Sequence, residues 1–100
     1  MIIRIDPFVK RLKYKAKLIK FADSIVKELQ LQNDKFVLYF LRYVGHGLIG
    51  ELVERNKLIV LLVATEKRTL NGIIRTIAHE LYHVKQMKET SNFDLDLFKQ

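Results

Sequence analysis

The stretch KLIVLLVA, Lys57 to Ala64, constrains the fold more than any other part of the chain. From Leu58 to Thr65 no charged side chain interrupts it. A membrane span needs about 18 apolar residues or more, so this run is strand-sized. A strand with one wet face alternates apolar and polar positions, and this one does not. It reads as a strand covered on both faces. The rest of a 100-residue chain must then supply neighbouring strands and a packed layer.

The flanking sequence supplies them. MIIRI, Met1 to Ile5, is short, β-branched and apolar, which suits a first strand. KFVLYFLRYV, Lys35 to Val44, has the aromatic and aliphatic content of another. Gly45-His46-Gly47 is turn chemistry. LIGELVE, Leu48 to Glu54, alternates weakly and carries charge, as an exposed edge strand does. Arg55-Asn56 then turns it back on Lys57–Ala64 as a hairpin.

Two helical periods bracket these strands. Asp6-Pro7 reads as an N-cap followed by proline at the first helical position. Phe8, Leu12, Ile19, Ala22, Ile25, Val26 and Leu29 then recur at helical spacing, which predicts one helix from about Pro7 to Leu31. Asn33-Asp34 punctuates it. A second helix is predicted from Thr69 to about Lys88, with Leu70, Ile73, Ile74, Ile77, Leu81 and Val84 as its stripe. Glu89–Asn92 should break it before the tail FDLDLFKQ. The expected fold is a single α+β domain over residues 1–100, with a small antiparallel or mixed sheet of three to four strands. A long N-terminal helix backs that sheet, and the C-terminal helix packs beside it.

The chain has a net charge of +7, and Lys10, Arg11, Lys13, Lys15, Lys17 and Lys20 fall within one short segment. A solvated helix face is the plainer account; attraction of phosphates or an acidic surface is the sharper one. There is no cysteine, which excludes disulfides, thiolate metal sites and a cysteine nucleophile. No signal-peptide core or membrane-length run is present, so a cytoplasmic protein is the default expectation.

IAHELYHVKQ, Ile77 to Gln86, lies within the second helix. At about 100° per residue, His83 falls about 40° from His79, one turn along the same face. Leu70, Ile77 and Leu81 lie opposite. Both imidazoles therefore point away from the apolar stripe, which weakens the reading of a packed core histidine. Surface polarity without function is the remaining bland account. Two histidines at this spacing can each bring one nitrogen to a single zinc ion. Glu80 is offset from them and can accept a proton from a zinc-bound water that attacks a peptide carbonyl.

The run His79-Glu80-Leu81-Tyr82-His83, extended by Gln86, resembles the active-site helix of zincin metallopeptidases. It is similar to small SprT-like and phage-encoded metallopeptidases, and the element order is similar to the single-domain minigluzincins. The resemblance implies a zincin-like upper subdomain, with His79 and His83 as zinc ligands and Glu80 as general base. It also implies that an extended polypeptide substrate adds to the edge strand, where Leu48, Gly50 and Leu52 would contact it.

A catalytic zinc needs a third protein ligand. Glu89 aligns with one family position but lies about 120° from the face of His83 on a continuous helix, so it requires unwinding near Gln86. Asp94 and Asp96 require the tail to fold back. Otherwise the ligand comes from another chain or from sequence downstream of residue 100, or the site is incomplete. His46, Arg75 and Tyr82 are weaker candidates for a role at the site, as loop ligand or oxyanion donors.

Two other functions compete with a zinc-dependent peptidase. One is an inactive zincin-like binding module whose basic N-terminal helix contacts nucleic acid or a protein partner. The other is a latent enzyme in which the tail Phe93–Phe98 lies across the cleft.

Overall fold

The structure, a computed structural model, describes residues 1–9, 12 and 14–98, with side chains as far as Thr90. In chain order the elements are β1 (Ile2–Ile5), α1 (Lys15–Glu28), β2 (Phe36–Leu41), a 3-10 turn (Gly45–Gly47), β3 (Gly50–Arg55), β4 (Leu58–Ala64) and α2 (Leu70–Phe98).

The four strands form one mixed sheet in the order β1-β2-β4-β3. β1, β2 and β4 run parallel, and β3 alone is antiparallel, on the outer side of β4. β1-α1-β2 is a crossover unit, as parallel neighbours require. β3 and β4 form the expected hairpin, with Arg55 paired to Leu58 across Asn56 and Lys57. Both turn residues have positive φ, 52° and 65°, the backbone of a turn whose twist matches that of the strands.

Strand alternation divides the apolar residues between two faces. Phe36, Leu38, Phe40, Leu61 and Val63 meet Leu18, Ala22 and Val26 of α1 and Ile73, Ile77, Leu81 and Val84 of α2. On the other face Val37, Val60, Leu62 and Ala64 pack with Val44, bordered by Tyr39, Leu41, Val53 and Leu58. That cluster contains no helical residue. The last five residues of β4, Val60 to Ala64, are all buried, so the expected two-sided cover exists. On this second face it comes from sheet side chains and the β2–β3 connection rather than from a helix.

Two helix boundaries differ from expectation. α1 begins at Lys15, not Pro7. Asp6 Oδ1 accepts the Phe8 N–H at 2.8 Å and its carbonyl accepts the Val9 N–H at 2.9 Å, so Asp6-Pro7 forms a short turn. Asp6 and Pro7 suit such a turn as well as a helix start. Phe8 therefore leaves the predicted stripe and is 75% exposed, while Leu18, set by the later start, becomes fully buried. Lys10, Arg11 and Lys13 lie outside the described residues. α1 ends at Glu28, where Gln30 takes a left-handed φ of 58° and the Leu31 N–H reaches the Val26 carbonyl at 2.8 Å.

The second difference is at the other end. α2 continues through the predicted break at Glu89–Asn92 to Phe98. Thr90, Ser91 and Asn92 are mediocre helix formers, but the segment has neither glycine nor proline to stop it. Lys88 holds α2 against the α1–β2 connection through Asp34 Oδ2 at 2.9 Å and the Gln30 carbonyl at 3.3 Å.

Candidate metal centre

The stripe Ile73, Ile77, Leu81 and Val84 faces the sheet, and this fixes the rotation of α2. His79 is thereby exposed and His83 half-buried. Their Nε2 atoms approach to 2.9 Å, with ring centroids 4.4 Å apart and planes at 87°. One nitrogen donates to the other, the tautomers deciding which. Two ligands about 2.05 Å from a tetrahedral zinc stand about 3.3 Å apart. The pair is thus already converged on the separation that one ion requires, within a few tenths of an ångström.

Glu80 turns inward between α2 and β3 and is only 4% exposed. Its Oε2 is buried with no hydrogen-bond partner among the described residues. Such an atom is costly unless a proton or a cation meets it. Burial raises the Glu80 pKa above the ordinary glutamate value; His83 and His79 oppose the rise and Glu51 adds to it. One donor atom from each of His79, Glu80 and His83 lies within 4.8 Å of the others, and this group can hold a metal ion. The donor convergence and the orphaned carboxylate oxygen both fit a divalent cation.

Gly50 makes the inward position of Glu80 sterically accessible. A Cβ at Gly50 would stand 2.6 Å from Thr76 Cγ2 and 3.3 Å from both Cγ and Oε1 of Glu80. β3 therefore passes α2 at a distance that only glycine allows. Gly50 and Leu52 line a cavity of about 540 Å³ together with His79, Glu80, His83 and Met87. A second cavity of about 460 Å³, with Arg75, Tyr82 and Gln86 in its lining, lies on the opposite flank of the same histidines. The imidazoles form a ridge between the two. β3 is the outermost strand of the sheet, so its far side offers amides and carbonyls to an added strand.

The other predicted residues fall as follows. Leu48 precedes β3, is 44% exposed, and is absent from the cavity lining. The continuous helix carries Glu89 about 9 Å along its axis from His83 and to another face, where it pairs with Lys85 at 3.5 Å. The backbone of Asp94 and Asp96 is helical, about 16 and 20 Å along the axis from His83; their side chains, and the tail side chains that the latent reading lays across the cleft, lie outside the described ones. His46 is exposed in the 3-10 turn at φ 60° and is not in the donor group.

Thr76 and Arg68 were not expected at this site, and both position α2. Arg68 donates from Nη1 to the Ala64 carbonyl at 3.0 Å and to the Ile49 carbonyl at 3.4 Å, and from Nη2 to the Gly72 carbonyl at 2.8 Å and Thr76 Oγ1 at 2.7 Å. One guanidinium thus ties the end of β4, the approach to β3 and the first turns of α2. Burial lowers its pKa. No periodicity announces such a contact; the only sequence signal is a glycine within the edge strand, which marks a close backbone approach.

No helix among the described residues is long and apolar enough to cross a membrane. This chain matches no known protein family, no curated protein and no solved structure.

Proposed function

We propose that the chain is a zinc-dependent peptidase of the zincin type, with His79 and His83 as ligands and Glu80 as general base. The observation that carries this reading is the pair of Nε2 atoms 2.9 Å apart beside a buried carboxylate oxygen with no partner among the described residues. The architecture supports it: a mixed sheet, two helices packed together on one face, and one antiparallel edge strand alongside the donors are what a zincin-like upper subdomain would need.

When bound, zinc supplies Lewis-acid activation of water and of a peptide carbonyl. The chain's own residues do the remaining work. His79 and His83 would hold the cation at the ridge. Glu80, buried beside them, would accept the proton of the attacking water at its carboxylate and return it to the leaving amine. The outer edge of β3 aligns an extended polypeptide, with Gly50 leaving the approach open and Leu52 offering apolar contact. Among the described side chains none joins His79, Glu80 and His83 in the donor group; a third protein ligand from elsewhere would leave Glu80 available for proton transfer.

The test is zinc stoichiometry together with cleavage of an unfolded polypeptide. One zinc per chain is expected, lost in His83→Ala. Glu80→Gln should keep zinc while cleavage falls by about 10²–10⁴-fold. Undiminished cleavage by Glu80→Gln, or no zinc on the unmodified chain, overturns the reading.

A further inference from the structure

A larger concavity, about 1000 Å³, lies at the other end of α2. It opens where β1, β2 and β4, the three parallel strands, all terminate, and its lining includes Phe8, Arg42 and Thr65 from the residues that follow them. The carboxyl ends of parallel strands are a frequent place for ligands in open α/β sheets. The first residues of α2, about 20 Å along the axis from His83, close one side.

Two kinds of side chain define this crevice. Among the described residues its cations are Lys17, Arg42, Lys67 and Arg68, against one carboxylate, Glu66. Glu66 is engaged by Arg42 Nε at 3.1 Å. The hydrogen bonds of Arg68 end on neutral oxygens, which fix its charge in place without cancelling it. The second kind is aromatic. Phe8 is 75% exposed and Tyr14 is 47% exposed, both in the lining, and Tyr43 beside Arg42 is 65% exposed. Lys17 Nζ lies 5.5 Å from the Tyr14 ring centroid and Arg42 Cζ lies 5.4 Å from that of Tyr43.

Phe8 and Tyr43 leave most of their ring surface to solvent. Rings interleaved with cations are the arrangement that stacks unpaired bases while neutralising the phosphates between them. We propose that this crevice binds single-stranded nucleic acid, with Phe8 in its lining and Tyr43, next to the lining residue Arg42, as stacking surfaces and Lys17 and Lys67 as phosphate contacts. The net charge of +7 assists approach. A duplex hides its base faces, and an acidic peptide gains nothing from the rings. An anionic membrane is flat, whereas this surface is concave. The crevice is separate from the histidine ridge and does not depend on the function proposed for it.

The experiment is fluorescence anisotropy of labelled oligothymidylate and oligouridylate of about 15 nucleotides. A matched duplex, a polyglutamate peptide and phosphatidylserine vesicles are tested alongside, from about 50 to 300 mM salt. Binding of a single strand is expected, with a log–log salt slope of about −2 to −3 for three to four phosphates neutralised. The double variant Phe8→Ala/Tyr43→Ala should weaken binding about 30-fold or more with the slope unchanged. Lys17→Gln/Lys67→Gln should weaken it and flatten the slope by about 1 to 1.5. These positions are exposed, and an unchanged thermal midpoint verifies the fold of each variant. His79→Ala/His83→Ala should bind as the unmodified chain does. Absence of binding at low salt, equal or tighter binding of duplex, polyglutamate or vesicles, or indifference to all four substitutions overturns the proposal; binding of either single strand supports it.

Discussion

At the scale of single residues, Glu80 and Gly50 are one device. The absent side chain at Gly50 lets the carboxyl sink between strand and helix, and burial then raises its pKa. Between the ordinary glutamate value and the raised one, the folded state holds a proton that the unfolded chain has released. Stability of the metal-free protein should therefore fall as pH rises through that window, and be highest below it. Thermal unfolding followed from acidic to neutral pH checks this. Glu80→Gln should remove the slope and be the more stable protein above the window. Gly50→Ala should cost about 1–3 kcal/mol in urea unfolding, because its Cβ must displace Thr76 and the helix behind it. The same substitution should weaken zinc binding, since it moves the donors with the helix.

At the scale of elements, the helix ends offer separable tests. Thr69 Oγ1 accepts the Gly72 N–H at 3.0 Å at the start of α2, and Thr69→Ala should cost about 1 kcal/mol. Gln30 sits at φ 58° after α1, a conformation glycine adopts without strain. Gln30→Gly should add about 0.5–1 kcal/mol, read as a higher thermal midpoint. The strands and the stripe of α2 were readable in the sequence because burial follows period, and period is a local signal. Leu81 and Ile77 fix one face of α2, and the histidine face follows from them by geometry alone. The start of α1 was not readable, because Asp6-Pro7 opens a turn and a helix with the same chemistry. α2 runs past the expected break, because polar residues lower helix propensity without forbidding the helix. Strand order and the Arg68 clip depend on contacts between distant segments, which no local pattern contains. Of the site, the donors were legible; the reason for Gly50 appears only when β3 and α2 are placed side by side.

At the scale of the whole molecule, one helix joins everything described. α2 carries the histidines, closes the core and borders the crevice at its far end. Zinc that binds only the folded state must stabilise that state: at a free concentration of 100 times its Kd, by about 2.7 kcal/mol. A rise in the thermal midpoint with zinc is expected in the unmodified chain and should be absent in His83→Ala. The outer rim of β3 has another consequence. A strand edge able to receive a polypeptide guest is equally able to receive its own copy in a neighbouring molecule. Glu51 and Glu54 place like charges along that rim, which oppose such self-pairing. Replacing both glutamates with threonine should turn the rim adhesive, so that concentrated solutions scatter light and grow polymers seamed along this margin.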